Sequence, residues 1–310
     1  MAINRRKFLL ATGMAAAMPA FSTAVSWIEN KDKKNGRSFT SGDNPIGIIT
    51  SGNSPEEDIK RISNMGFTTC QLGISEYSPE LAKRLSDNLD KYQIQPNTLI
   101  CMGPGPYIWS LDEGPSTIGL VPREYREERI ERLYKGIDFC VETGISAVHA
   151  HFGFIPEDPR DILYLEFVKA MRKVGEYGVN KNIDLYFETG QETPITMLRA
   201  IEDIGTGNLY VNLDPANLVM YGKANPCDGL KILIKYVRAL HIKDGLYPTD
   251  PNKLGKEVPV PEGEVDFPGM VRLLKENDFK GAYIIECELS GDRTEYILQT
   301  KKYIETLILS

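Results

Sequence analysis

From Pro45 to Ser310, short apolar runs alternate with helical stretches eight times, and that alternation leaves few folds open. Parallel strands need crossovers of a dozen or more residues, and helices supply them. Strand-like runs stand at 46–50, 68–73, 95–102, 147–152 and 184–188, with three more beginning at Leu209, Ala239 and Ala282. Between the first two, Ser54, Pro55 and Glu57 combine an N-cap serine, a first-turn proline and a capping box. Ile59, Ile62 and Met65 follow at helical spacing, and Gly66 ends the helix. Eight such units predict an α/β fold, a single (β/α)8 TIM barrel over 45–310 without an internal domain boundary. The chain's 310 residues leave room for it, since such barrels typically need about 250.

The last four strands each bring an acidic or imidazole side chain to their end: Glu188, Asp214, His241 and Glu286. In a barrel these ends converge on one mouth, where chemistry is done. Period-two alternation puts Glu188 on the face of Tyr186, Asp214 with Asn212, His241 with Ala239 and Lys243, and Glu286 with Ile284 and Glu288. Three carboxylates and an imidazole meeting there repel each other unless a divalent cation neutralises them. Oxygen and nitrogen donors suit Mn, Co, Zn or Mg. The competing explanation is a set of buried ion pairs, such as Glu188 with Lys243. Four carriers on consecutive strands favour the metal.

Residues 1–26 read as a signal peptide. Arg5 and Arg6 precede an apolar, Ala-rich run from Phe8 to Ala20, and small residues allow cleavage after Ala24. The paired arginines match a twin-arginine signal, so the expected location is exported and periplasmic. The apolar run is short against the ~20 residues of a membrane span, and no stable span is expected once the signal is removed. Residues 27–44 are polar and read as a linker.

A net charge of −7 advertises no basic surface for nucleic acid. No Gly-x-Gly-x-x-Gly follows a strand, so no dinucleotide site is indicated. Five cysteines, Cys70, Cys101, Cys140, Cys227 and Cys287, form no Cys-x-x-Cys and read as buried small hydrophobes. Homo-oligomerisation is left open.

The motifs Asn212-Leu-Asp-Pro-Ala-Asn217, His241-Ile-Lys-Asp-Gly245, Glu262-Gly-Glu-Val-Asp-Phe267 and Ile285-Glu286 carry a resemblance. From about Pro45 to Leu307 the chain resembles the xylose isomerase-like TIM barrel superfamily of sugar isomerases, epimerases, inosose dehydratase-like proteins and metal-dependent endonucleases. The resemblance implies that Glu188, Asp214, His241 and Glu286 hold one metal ion. The epimerase branch commonly has histidine three residues after the strand-six aspartate; here it is Asn217, which can bind a substrate hydroxyl but not relay a proton near neutral pH. The endonuclease branch needs more histidines than His149, His151 and His241.

The expected activity is therefore that of a metal-dependent carbohydrate isomerase or epimerase. Glu188 and Glu286 transfer the proton through a metal-stabilised enediolate of a keto-sugar. A keto-glycoside lyase or hydratase on the same site is the alternative, and a non-catalytic carbohydrate-binding barrel the rival. His149 and His151, two apart on strand four, share a face; His151, nearer the strand end, is the stronger candidate for substrate binding or acid/base work. The competing role is a buried histidine satisfied by a carboxylate. Lys243 is expected to touch substrate, or else to pair with Asp244 or Glu264. Gln71 is a further substrate-binding candidate. On the Gly/Pro-rich loop from Gly103 to about Pro122, Trp109 and Tyr107 are placed to stack on a sugar face or to pack the loop itself.

Overall fold

The computed structural model describes residues 44–310. The expected signal peptide and all of the linker except Asn44 lie outside them. The first half runs β1 (Ile46–Ser51), α1 (Pro55–Asn64), β2 (Thr69–Gly73), α2 (Pro79–Tyr92) and β3 (Gln95–Ile100). Then come α3 (Gly114–Thr117), α4 (Arg126–Thr143), β4 (Ala147–Ala150), α5 (Ile162–Lys181) and β5 (Asp184–Glu188). The second half is α6 (Pro194–Ile204), β6 (Leu209–Leu213), α7 (Pro215–Met220), α8 (Pro226–Leu233) and β7 (Val237–Ile242). It closes with β8 (Asp244–Leu246), β9 (Lys256–Val258), α9 (Phe267–Glu276), β10 (Ala282–Ile285) and α10 (Thr294–Leu309).

Eight parallel strands close a barrel in the order β1-β10-β7-β6-β5-β4-β3-β2. β10 seals it by pairing with both β7 and β1. Asn44 pins the entry to β1 by donating from Nδ2 to the Phe279 and Gly281 carbonyls. Outward strand residues such as Leu185, Phe187, Leu240 and Ile285 are buried in the apolar layer shared with the helices. Inside the barrel, Ala239, Ala282 and Ile284 form a small apolar plug with Ile49. Two residues further along β7 and β10, on the same face, stand His241 and Glu286, so the plug is the floor of the site.

Three local expectations need correction. The Ser54–Glu57 capping box does not form: the Ser54 side chain caps nothing, and Asp58 Oδ2 accepts from the Ser54 backbone N–H at 3.1 Å. The sequence suggests one long loop from Gly245 to Pro268, but Asp244–Leu246 and Lys256–Val258 pair antiparallel there as β8 and β9. The Gly103–Pro122 loop carries the short α3 and is tied down by α4. Arg129, 2% exposed, donates to the carbonyls of Pro104, Pro106 and Gly119, and Arg126 to those of Leu120 and Val121. Buried guanidinium groups need all these acceptors, and the loop backbone supplies them. Cys70, Cys101 and Cys140 are buried, while Cys227 and Cys287 are only half-buried; all five are free thiols. Among the described residues no helix is long and apolar enough to cross a membrane.

Candidate metal centre

Glu188 ends β5, Asp214 follows β6, His241 lies near the end of β7 and Glu286 follows β10. Their potential ligand atoms all lie within 4.8 Å of one another. His241 Nδ1 stands 2.8 Å from Glu286 Oε2, 3.4 Å from Glu188 Oε1 and 3.5 Å from Asp214 Oδ2. Asp214 is held by the motif that follows it. It is the N-cap of α7, with Pro215 at the first helical position, and Oδ1 accepts from Asn217 N at 2.8 Å. Oδ2 is left facing the cluster.

Asp214 Oδ2, His241 Nδ1 and Glu286 Oε2 are buried without a hydrogen-bond partner. The close approach of His241 to Glu286 is thus an ion-pair distance without hydrogen-bond alignment. Three orphaned donors of metal-ligand type aimed at one another fit a divalent cation, and their spacing is close to that of ligands about 2.0–2.2 Å from a shared ion. The electrostatics agree. Burial opposes a charged His241, yet Glu188 and Glu286 hold its pKa well above the ordinary value. The cluster therefore demands positive charge at this point. Burial also opposes ionisation of Glu286, but Lys243 and His241 outweigh it and hold the carboxyl down at about 2. Glu188 is likewise held well below the usual range, by His151, His241 and His149 against its burial. Asp214 is raised, chiefly by burial.

His149 and His151 both face Glu188. His149 Nε2 lies 2.6 Å from Glu188 Oε2, and His151 Nε2 lies 3.1 Å from the same oxygen. Burial lowers the His149 pKa; that of His151 is raised, because Glu188 and Glu286 outweigh its burial. Asn217 Nδ2 donates to Glu188 Oε1 at 3.3 Å. Lys243 does not pair with Asp244 or Glu264, nor with Glu188. Its ammonium lies 2.7 Å from Glu288 Oε2 and 3.3 Å from Glu286 Oε1. The alternation that turns Lys243 inward turns Asp244 outward, where its carboxylate accepts from the N–H groups of Gly245, Gly263 and Val265. Trp109 is 47% exposed on the loop and meets the His151 ring edge-on at 4.8 Å, with Tyr107 stacked behind it.

Gln71, read as a substrate-binding candidate, is fully enclosed beneath the centre. Its Oε1 lies 2.8 Å from His241 Nε2, and its Nε2 donates to Asn212 Oδ1 at 2.9 Å and Asn97 Oδ1 at 3.2 Å. Asn212 Nδ2 approaches the same His241 nitrogen at 2.9 Å. An amide oxygen is an acceptor only, so the shorter contact, to Gln71, favours a proton on Nε2 and leaves the Nδ1 lone pair for the cluster, and the Asn212 NH2 then makes no hydrogen bond to that nitrogen. Gln191, Glu192, Tyr221 and Asn97 also border this region and were not singled out by sequence. Gln191 and Glu192 lie three and four residues past Glu188 at the strand end, a position at which barrel enzymes gather functional groups.

A parallel eight-stranded barrel with a carboxylate–imidazole cluster at its strand ends is a TIM barrel with a candidate metal site. The family model that describes the xylose isomerase-like TIM barrel matches residues 59–307, and the chain belongs to that family. A curated relative, the inosose dehydratase of Clostridium tetani, is 24% identical over 159 residues, 45% of this chain and 53% of the relative. The chain thus spans only about half the length of that relative. A solved xylose isomerase domain protein from Planctomyces limnophilus superposes with a TM-score of 0.80 at 27% identity, covering 86% of this chain and 98% of the other. A solved D-tagatose 3-epimerase-like protein shares the fold, at a TM-score of 0.66 and 17% identity over 85% of this chain and 97% of its own.

Proposed function

We propose that this chain is a divalent-metal-dependent isomerase or epimerase of a keto-sugar, with Glu188 and Glu286 as the proton-transferring pair. The observation that carries the reading is the trio of orphaned buried atoms on Asp214, His241 and Glu286 beside Glu188. A cation held by these four residues, Mn, Co, Zn or Mg, supplies Lewis acidity toward negative charge developing on the oxygens of a carbonyl compound.

The chain's own groups do the rest. Glu188 is ionised and carries a proton acceptor at Oε2, where His149 and His151 orient it. Glu286, the more exposed of the two glutamates, stands across the cluster beside Lys243. Glu188 takes the carbon-bound proton and later releases it to solvent; Glu286, ionised at rest, takes a proton from solvent and delivers it to carbon, to the other face of the same carbon for epimerisation or to the neighbouring carbon for isomerisation. The Lys243 ammonium offers a fixed positive charge to substrate oxygen. Trp109 and His151 form a partly apolar wall that limits water.

A second reading, elimination by a keto-glycoside lyase or hydratase, is favoured by Asn217, which removes a proton relay, and by the dehydratase relative. The non-catalytic binding barrel is disfavoured by the retained glutamates. The twin-arginine pattern further leads us to place the enzyme outside the cytoplasm, which fractionation of expressing cells tests. The reaction is tested by incubating metal-loaded protein with keto-sugars and keto-glycosides in D2O and following carbon-bound deuterium by NMR. Epimerisation or isomerisation incorporates deuterium with the skeleton intact, elimination gives an absorbing enone, and Glu188→Gln abolishes either. Normal turnover by Glu188→Gln would sink the assignment.

A further inference from the structure

Between β5 and α6 the chain buries two polar side chains that the metal centre does not use. Gln191 is 2% exposed and Glu192 4%. Gln191 Oε1 lies 3.1 Å from His151 Nδ1, which orients the amide with its oxygen toward the imidazole and its NH2 group away. That Nε2 has no hydrogen-bond partner, and neither has Glu192 Oε1. An unpaired buried polar group costs free energy comparable to a lost hydrogen bond, so two on consecutive residues need an explanation. The surroundings supply one. The Tyr221 hydroxyl stands near Gln191 without completing a hydrogen bond to its Nε2. The Tyr221 ring meets Phe154 edge-on at 5.8 Å, and Trp109 flanks His151. Aromatic faces around a few convergent polar groups are the usual lining of a small-molecule site.

We propose that Gln191 and Glu192 form a hydroxyl-binding subsite beside the metal centre, for the polyhydroxylated part of the substrate that lies beyond the reacting carbon. Gln191 Nε2 donates to one hydroxyl oxygen, and the Glu192 carboxyl pairs with a second hydroxyl. This rests on the carbohydrate reading above. Burial raises the Glu192 carboxyl to about 8 against the opposing pull of His151 and Lys223, so near neutrality it is uncharged and both donates and accepts. A neutral acid beside ionised Glu188 suits a neutral polyol better than an anion.

The test uses metal-loaded full-length protein and three probes with six-carbon sugar or cyclitol skeletons, D-fructose, 2-keto-myo-inositol and methyl 3-keto-β-D-glucoside, against dihydroxyacetone, whose oxygens all lie on the carbonyl carbon or its two neighbours. Binding is followed by calorimetry and bound metal by elemental mass spectrometry. Gln191→Leu and Glu192→Leu are expected to weaken a probe with a six-carbon skeleton by about 10-fold or more. Dihydroxyacetone binding and metal content should stay at wild-type level, and Glu192→Gln should stay within about 3-fold at pH 7, because an amide also donates and accepts. Leucine variants that bind every probe like the wild type mean that the recess holds only water, and they overturn the subsite. Leucine variants that lose dihydroxyacetone and metal as well show a structural role and also overturn it. If the wild type binds none of the probes, the carbohydrate reading itself falls, and the subsite with it.

Discussion

Replacing Gln71 by leucine separates a buried positioning residue from a substrate-binding one. Leucine nearly fills the volume, so little cavity forms. Two groups lose their donor, Asn212 Oδ1 and Asn97 Oδ1, and His241 Nε2 is left facing only the Asn212 NH2, which favours a bare Nε2. Each buried orphan costs ~1–3 kcal/mol. Asn97 is 7% exposed and can relax toward water, so about 2–4 kcal/mol of stability should be lost, read by denaturant unfolding. The imidazole also loses the acceptor that favours its Nε2 proton, and metal affinity should fall about 10- to 100-fold, read by competition with a fluorescent chelator. Gln71→Glu keeps an acceptor for His241 but faces two amide oxygens. It should lose stability while binding metal more tightly than the leucine variant, which keeps the test alive if leucine prevents folding. A Gln71→Leu protein with wild-type unfolding midpoint and metal affinity would refute the reasoning.

Glu192 gives a pH prediction with a defined sign. Its folded pKa of about 8 lies above its ordinary 4.5, so its contribution to stability is complete below about pH 4.5 and is lost as pH rises toward 8. The Tm of Glu192→Gln should therefore gain on the wild type between pH 5 and 8, and a constant difference across that window would contradict the assignment. Gly119 has φ +74°, and a Cβ there would sit 2.0 Å from the Phe152 carbonyl carbon. Gly119→Ala should cost about 2–5 kcal/mol from strain and overpacking, and an unchanged Tm would show that the loop yields more easily than its arginine ties imply.

Much of this architecture was legible because barrel strands are simple. Each is a short apolar run, and strict alternation says which residues face the axis. That is how Glu188, Asp214, His241 and Glu286 could be read as facing one mouth. Alternation stops at the strand ends, and legibility stops with it. Nothing local turns Gln191 and Glu192 inward, since their setting depends on His151 and Tyr221 from other loops. Gln71 was read as a strand-end group for substrate because its partner His241 lies 170 residues away. The Asp244 carboxylate could not be separated from Lys243 without the loop after β9, whose Gly263 and Val265 amides come back to it from about 20 residues away. What holds the Gly103–Pro122 loop was not legible, because Arg126 and Arg129 belong to the following helix and nothing in their local pattern points them at the loop's carbonyls.

The most direct measurement is elemental mass spectrometry on the purified protein from Lys31 onward, beside an Asp214→Ala/Glu286→Ala variant. The account predicts about one Mn, Co, Zn or Mg ion per wild-type chain, and loss of that ion in a variant that still folds by circular dichroism. A wild-type chain that holds no divalent ion, even after refilling with each of these metals, would contradict it.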